Sequence, residues 1–364
     1  MKTVLLAMLA TLVCFVLPAK AIGQDWPALP EIDGAIEIPA QEWPQRPGPR
    51  TIRILIHYPQ STQASITPQT GIMLTLHNWG GVDCVGTADP KQLAQRLNVV
   101  AVCVNYLQSG REDSIEAPEP YDFGYLQALD VLRALWHVRD QLKQRNIAYD
   151  DSRLYCTGGS GGGNVSLMAN KLAPRTFAAI VDMCGMKKLS DDIAFNLPGG
   201  SSLNARWNQI PGSPNFLPKD EQELRFVGNP VHLAEMKRLA TESRIVLYHG
   251  TKDTTCPFED AVEMSDQMKA AGLTVETHWI DDNSIDGRIF TSSGHPLGNR
   301  TEIVITSTGD LLAPDSSKCQ RRKQPTDFDR REDIAYATTS GRFVISYANG
   351  FPIGRFERRD QSNE

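Results

Sequence analysis

Several features that identify other classes of protein are missing from this chain of 364 residues. No cysteines are spaced as C-x-x-C or matched with suitably spaced histidines, so the common zinc folds have no support. No Lys/Arg block is long enough to follow a phosphate backbone, and the net charge is −6, so we expect no nucleic-acid partner. No unit of about 20 to 50 residues recurs, which excludes solenoids and propellers.

Disorder and a bilayer-spanning fold are also excluded. Hydrophobic residues make up 41% of the chain and charged residues 22%, which is typical of a globular protein with a packed core. Beyond the first 17 residues, no apolar stretch is long enough to cross a bilayer.

The N-terminus has the layout of a secretory signal peptide. Lys2 supplies the positive charge, residues 4–17 are apolar, and Ala19-Lys20-Ala21 supplies small residues at a cleavage site. The sequence therefore predicts cleavage after Ala21 and a secreted or periplasmic protein that no longer contacts the membrane. An uncleaved N-terminal anchor is the alternative.

Six cysteines remain after Cys14 of the apolar segment is set aside. An oxidising compartment permits disulfides, and an even number is compatible with pairing. We expect Cys103, Cys156 and Cys184, in or beside apolar strands, to behave as small buried hydrophobic residues. A disulfide is expected to involve Cys84 or Cys256.

Short apolar runs alternate with helix-length amphipathic segments. Such an alternation predicts an α/β fold with a mostly parallel central sheet and helices on both faces. The predicted strands are 51–58, 72–77, 99–105, 153–157, 178–183, 244–249 and 274–280, and the predicted helices are 89–97, 121–145, 161–172 and 257–271.

Segments outside this alternation suggest the domain limits. A proline-rich lead-in, 22–50, is expected to be extended rather than packed. The main α/β domain is predicted to span 51–312, with a cap-like insertion, 186–241, before the predicted strand 244–249. The C-terminal extension, 313–364, has no assigned role, and its alternating runs around Ser340-Gly341 suggest a hairpin.

The most informative motif lies between a predicted strand and a predicted helix. Gly158, Ser160 and Gly162 match G-x-S-x-G, in which a serine on a tight strand-to-helix turn projects above the sheet. The next amide, that of Gly161, then points at a developing oxyanion. A nucleotide-binding glycine loop is the rival interpretation, but no Gly-Lys-Ser/Thr follows and the dinucleotide register fails at Asn164.

Other strand ends supply the partners that such a serine needs. The segment 77–81 (His-Asn-Trp-Gly-Gly) follows one strand, and its Trp79 amide is the second expected oxyanion donor. Asp253 follows another strand, and His295 lies on a later loop. The chain order serine, acid, histidine is that of α/β-hydrolases.

These motifs resemble the α/β-hydrolase superfamily, more narrowly the secreted esterases and the catalytic domain of prolyl-oligopeptidase-type serine peptidases. The resemblance covers about residues 50–312. It implies a nucleophile, a general base and an orienting acid: Ser160, His295 and Asp253. It also implies an oxyanion and substrate-binding set: Trp79, Gly161, Asn78 and Gly80. No metal or organic cofactor is expected.

Asn78 departs from the family pattern, which has glycine after the histidine, so its side chain is expected to restrict the oxyanion loop. Other assignments also remain open. Asp182, at the end of the strand after the elbow helix, is the rival acid. His77 and His249 are expected either to shape their loops or to contact substrate.

The expected function is an exported carboxylesterase acting through an acyl-enzyme on a small-molecule ester. A serine peptidase of the prolyl-oligopeptidase type, acting on small peptides, is the alternative. The chain after cleavage has no room for that family's N-terminal propeller, which favours the esterase. A catalytically silent binding protein on the same fold and an NAD-dependent oxidoreductase are the other hypotheses.

Overall fold

A computed structural model describes residues 26–359. The predicted signal peptide and its cleavage site lie outside the described residues. Within residues 26–359, no helix combines the length and the apolar character needed to cross a membrane.

The fold is built on one large sheet, in the spatial order β1-β2-β4-β3-β5-β6-β7-β8. The six strands from β4 to β8 in that order are parallel, whereas β2 is antiparallel to both of its neighbours. The strands are β1 (Gly34–Ala40), β2 (Arg50–His57), β3 (Gly71–Leu76), β4 (Val99–Asn105), β5 (Leu154–Gly159), β6 (Ala179–Met183), β7 (Arg244–Gly250) and β8 (Thr274–Ile280). The seven predicted strands and the mostly parallel sheet are confirmed, and the first predicted strand, now β2, is the antiparallel one.

Helices connect the parallel strands. The helices are α1 (Pro90–Leu97), α2 (Tyr125–Gln144), α3 (Gly161–Leu172), α4 (Asp191–Phe195), α5 (Lys219–Leu224), α6 (Pro230–Arg238), α7 (Phe258–Ala270), α8 (Arg300–Glu302), α9 (Gly309–Leu312) and α10 (Asp327–Arg330). Short 3-10 or π-helical turns lie at Gln63–Ser65, Glu112–Glu116, Asp282–Ser284 and Ile303–Ser307.

The limits of α1 show how local sequence sets a boundary. The Asp89 side chain accepts a hydrogen bond from the Gln92 amide, and Pro90 occupies the first turn, where no intrahelical donor is needed. Asn98 ends the helix in the left-handed region, with φ 48°. The helix therefore begins and ends where its capping residues lie.

The sheet is buried on both faces. On β3, Ile72, Leu74 and Leu76 belong to the core that α2 and α3 cover, whereas Met73 belongs to a second core with α1 and residues 297–312. Burial on both sides explains why β3 and β4 are continuous apolar runs rather than alternating ones. The carboxyl ends of the parallel strands share one edge, where the predicted site residues lie.

The expectation that the lead-in is extended and unpacked is wrong for part of it. Gly34–Ala40 forms the edge strand β1, paired with β2 over its whole length. Ile38 and Trp43 are buried in the main core. Pro39 does not prevent this, because an edge strand tolerates proline where its missing N–H faces away from the ladder.

The C-terminal extension forms a second, three-stranded antiparallel sheet in the order β11-β10-β9. It contains β9 (Asp333–Ala337), β10 (Gly341–Ser346) and β11 (Ile353–Arg358), so the hairpin around Ser340-Gly341 is confirmed. Tyr347 donates a hydrogen bond to the Leu172 carbonyl at the end of α3. The extension therefore packs on the helical layer.

The insertion 186–241 divides into two parts. Its first part lies beside the loop after β4: Trp207 Nε1 donates to the Tyr121 carbonyl, and Arg206 donates to the carbonyl of Ser114. The second part, with α5 and α6, packs against α3, where the buried Lys171 ammonium donates to the Leu224 carbonyl. The first part also contributes to the buried cluster that contains Cys256.

One disulfide joins Cys84 to Cys103. The expectation of a bridge through Cys84 or Cys256 is confirmed, but the expectation that Cys103 is an unpaired buried residue is wrong. Its side chain leaves β4 toward the loop that follows β3, and the burial typical of a small apolar residue also suits half of a disulfide. Cys156 and Cys184 are buried and free, as predicted.

Candidate active site

Ser160 lies between the last residue of β5 and the first residue of α3, in a strained conformation with φ 54° and ψ −120°. The turn needs glycine on both sides, because a Cβ on Gly158 would lie 2.3 Å from the Gly162 backbone. A Cβ on Gly162 would lie 2.2 Å from the Leu76 carbonyl oxygen. The glycines thus allow the close strand–helix contact that raises the serine above the sheet edge.

A continuous chain of hydrogen bonds joins the predicted serine, histidine and acid. Ser160 Oγ lies 2.9 Å from His295 Nε2, and His295 Nδ1 lies 2.8 Å from Asp253 Oδ2. The imidazole is partly exposed, with 22% of its side-chain surface accessible, whereas the carboxylate is fully buried. Three residues far apart in the sequence are therefore brought into the geometry that general-base activation of a serine needs.

The loop after β7 holds the Asp253 carboxylate in place. Its Oδ1 accepts hydrogen bonds from the amides of Thr255 and Cys256, each at 2.9 Å, while Oδ2 faces His295. Burial alone raises the pKa of a carboxyl, but the hydrogen bond and charge of His295 and the Cys256 amide outweigh it, so the pKa of Asp253 is lowered. The group is an ionised acceptor at neutral pH.

The rival acid has a different partner. Asp182, the fourth residue of β6, forms a buried ion pair with Lys187, and both side chains are almost completely inaccessible. Burial raises the pKa of Asp182 against the opposing charge of Lys187. Because its charged partner is a lysine in the core, Asp182 is not the group that orients His295.

The backbones of Trp79 and Gly161, the residue after the serine, lie close together. A Cβ on Gly161 would stand 2.6 Å from the Trp79 nitrogen, so these two residues are in close contact. The Trp79 amide donates no hydrogen bond within residues 26–359, and Gly161 begins α3, where amides have no intrahelical acceptor. Both predicted oxyanion donors are therefore adjacent and available.

The oxyanion loop is the segment between β3 and α1 that contains Trp79. Side-chain contacts hold the rest of this loop in place. The Trp79 indole donates to the Ser114 carbonyl and stacks on Tyr121, with 3.9 Å between ring centroids. Gly80 has φ 81° and lies against Ile115. The Asn78 side chain accepts a hydrogen bond from Arg300.

His77 and His249 shape loops. His77 Nε2 hydrogen-bonds with the hydroxyl of Ser109 at 2.7 Å, and burial lowers the pKa of His77 to about 4. His249 Nε2 donates to the Cys256 carbonyl at 2.8 Å, and burial, aided by the charge of Lys187, lowers the pKa of His249 to about 3. Both imidazoles are neutral structural groups at neutral pH.

Sequence reasoning missed several residues around the site. Cys256 lies beside Ser160, and burial raises the pKa of its thiol. Arg300 packs against Gly159, and Tyr121 carries the Trp79 ring. The position of Arg300 five residues after His295 was the only sequence signal for it, and no motif covers it.

One group of potential metal ligands overlaps the site. Ligand atoms of Cys184, Asp253 and His295 lie within 4.8 Å of one another. The last two already share the hydrogen bond of the serine–histidine–acid chain. A cation at this position would compete with that bond.

Similar solved structures share this fold. A Pyrococcus horikoshii acylaminoacyl peptidase matches with a TM-score of 0.50 and 13% identity, covering 81% of this chain and 43% of the peptidase. An esterase structure from a study of two Rhizomucor miehei esterases matches with a TM-score of 0.51 and 15% identity, covering 77% of this chain and 82% of the esterase. This chain therefore spans less than half the length of the peptidase.

No curated protein matches the sequence. One family model does, over residues 116–350, which is more than half of the chain and includes the serine, the acid and the histidine. The chain has the α/β-hydrolase fold of these structures, and by its sequence it belongs to the family described as "Protein of unknown function (DUF2920)".

Proposed function

We propose that this chain is a serine hydrolase that cleaves a carboxylic ester through an acyl-enzyme formed on Ser160. The observation that carries the proposal is the hydrogen-bond chain from Ser160 Oγ to His295 at 2.9 Å and from His295 to Asp253 at 2.8 Å. A serine hydroxyl is a weak nucleophile, and a neighbouring imidazole that accepts its proton activates it.

The reaction has two acyl-transfer steps. As Ser160 Oγ attacks the substrate carbonyl carbon, His295 Nε2 takes the hydroxyl proton, and the charge of Asp253 stabilises the resulting imidazolium. The carbonyl oxygen becomes an oxyanion that accepts hydrogen bonds from the Trp79 and Gly161 amides. The tetrahedral intermediate then expels the alkoxide, which receives the proton from His295.

The second step regenerates the enzyme. Water attacks the acyl-serine carbonyl while His295 removes one of its protons, a second oxyanion forms, and the carboxylic acid leaves as Ser160 regains its proton. The role of His295 alternates between base and acid, which requires both of its nitrogens to stay hydrogen-bonded in the observed orientation.

An apolar environment beside Ser160 supports an ester with an apolar acyl group. Cys256 belongs to a buried cluster contributed by the 121–123 segment and the first part of the insertion, and Trp79 packs against it. The chain also spans most of the length of the fungal esterase that it resembles. The resemblance to an acylaminoacyl peptidase makes a short acylated peptide the second candidate substrate.

The test compares p-nitrophenyl acetate and butyrate with matching acyl-amino-acid anilides. Wild type should hydrolyse at least one ester, and Ser160→Ala should lower kcat by at least about 10³-fold. Ser166→Ala is the matched control, because this buried serine lies on the same helix and only donates to the Gly163 carbonyl.

Three outcomes distinguish the candidates. Turnover of the anilides alone would replace the esterase by the peptidase. Full turnover by Ser160→Ala would contradict the assignment of the nucleophile. Tight ester binding without any turnover by wild type would favour the silent binding protein.

A further inference from the structure

We infer that Arg300 is a positioning residue that holds the oxyanion loop against the nucleophile turn, residues 158–162, and places a positive charge next to that turn. This inference rests on the proposed function. It concerns a side chain that no motif marks, and it explains why this chain has asparagine at position 78.

Arg300 joins three segments of the site. It begins α8, on the loop that carries His295. Its Nη1 donates to the Asn78 side-chain oxygen and, at 2.9 Å, to the Gly86 carbonyl. Asn78 is the residue before Trp79, so the guanidinium holds both ends of the loop that presents the Trp79 amide.

The same guanidinium packs against the nucleophile turn. A Cβ on Gly159, the residue before Ser160, would lie 2.4 Å from Arg300 Nη1 and 2.5 Å from its central carbon. The planar group therefore packs on the bare backbone of the turn. Its position links the serine to the oxyanion loop, and a shift of about 1 Å between such groups is enough to slow catalysis substantially.

The charge of Arg300 has no counter-ion. The residue is only 8% exposed, and no carboxylate within residues 26–359 forms an ion pair with it. The carboxylates whose charges act on Arg300, those of Asp182 and Asp253, are engaged with Lys187 and His295. Burying a cation without a counter-ion destabilises a fold. The buried Arg300 guanidinium is therefore consistent with a site in which a negative charge forms only during the reaction.

The side chain of Asn78 provides the hydrogen-bond acceptor for Arg300. Glycine at this position, as in the resembled families, leaves the loop without a side chain for Arg300 to bind. Here the amide oxygen of Asn78 provides that acceptor, and its nitrogen reaches toward the Gly86 carbonyl at 3.4 Å. The asparagine therefore fixes the loop through Arg300.

The experiment measures kcat and KM for the best ester with Arg300→Gln, Arg300→Lys and Asn78→Ala. We expect Arg300→Gln to lower kcat by about 10- to 100-fold, less than the loss of a direct oxyanion donor, while KM changes by less than threefold. Arg300→Lys, which keeps the charge, should recover part of the loss. The affinity for an alkyl boronic acid, which forms a tetrahedral anion on the serine, should fall in parallel with kcat.

A double variant tests whether the two residues act together. Because Asn78 acts through Arg300, Asn78→Ala should add little to the loss in Arg300→Gln. The control is Arg288→Gln, an exposed arginine on the same loop that should keep wild-type kcat. Melting temperatures identify variants that fail to fold. If the Arg300 variants do not fold, Asn78→Ala tests the same contact from the side of Asn78.

Several results would overturn the inference. One is a folded Arg300→Gln with kcat and boronic-acid affinity within twofold of wild type. Another is additive losses in the double variant. If wild type turns over but Ser160→Ala does not, these results reject the role of Arg300 alone. If wild type neither turns over nor binds the boronic acid, the proposed function and this inference fail together.

Discussion

Two buried carboxylates on neighbouring parallel strands of this fold have opposite properties. Asp253, just after β7, has a lowered pKa, whereas Asp182, within β6, has a raised one. Burial acts on both in the same direction. The difference arises from their partners, since Asp253 accepts hydrogen bonds from two amides and an imidazole, and Asp182 accepts from a single lysine.

The partners also differ in exposure. His295 is partly accessible to solvent, while Lys187 is buried in the core. Asp182 Oδ1 packs against the backbone of Gly163, in the first turn of α3, and of Gly185. The two carboxylates near Ser160 are thus distinguished by the identity and the exposure of their partners, whereas sequence position alone did not decide between them.

The largest expected effect comes from the acid that contacts the imidazole. Asp253→Asn should lower kcat by about 10³- to 10⁴-fold, because the amide no longer stabilises the imidazolium and favours the wrong tautomer. Urea unfolding should show a folded protein. An unchanged kcat would contradict the assignment and return the role to Asp182.

Breaking the other ion pair should affect stability rather than turnover. Lys187→Met leaves the Asp182 carboxylate buried without a counter-ion and should lower the free energy of unfolding by about 3–5 kcal/mol. The double variant Asp182→Leu/Lys187→Met should recover most of this loss. A kcat loss in Lys187→Met as large as that in Asp253→Asn would remove the distinction between the two acids.

The two loops at the site are held in different ways. The Cys84–Cys103 disulfide joins the oxyanion loop to β4, whereas hydrogen bonds hold the loop after β7 that carries Asp253. The bridge closes a segment with a sequence separation of 19. Cys84→Ala/Cys103→Ala should therefore lower the free energy of unfolding by about 3 kcal/mol. The unfolding midpoints of wild type with and without a reducing agent provide a parallel measurement. If neither the double variant nor reduction lowered the stability, the disulfide would not contribute as expected.

The smallest expected effect concerns His249, which borders Asp253. Its pKa is about 3 in the folded chain and 6.5 ordinarily. Between these values the unfolded chain binds more protons, so the free energy of unfolding decreases as the pH falls below about 6.5. Between pH 7 and pH 5, His249 should lower the free energy of unfolding by about 2 kcal/mol. The His249→Gln variant should lack this pH-dependent decrease. An identical pH dependence in urea unfolding of both proteins would exclude this contribution.

Much of the fold could be predicted from sequence because apolar runs identify strands that are buried on both faces. The elbow motif at Ser160 and the strand ends before Asp253 and His295 also predicted which side chains would meet. The segment Gly34–Ala40 was wrongly predicted to be unpacked, because its proline-rich surroundings are typical of an extended linker. Its pairing with β2 depends on tertiary contacts that have no local sequence signal. Cys103 was misjudged because burial suits a free thiol and a disulfide equally.

Arg300 and Lys187 could not be assigned in advance for a different reason. Arginine and lysine are common on surfaces, and nothing in their neighbours shows that a given one is buried. Their partners, Asn78 and Asp182, could be identified as residues near the site, but the pairings arise only when separate loops converge. Long-range polar contacts of this kind carry no local sequence signal.

The most direct test of the activated serine is its reaction with a fluorophosphonate probe, followed by peptide mapping. We expect rapid, stoichiometric labelling of Ser160 in wild type and in Lys187→Met, and labelling slowed by at least about 10³-fold in His295→Ala. Labelling of another residue, or equal labelling rates with and without the His295 imidazole, would contradict it.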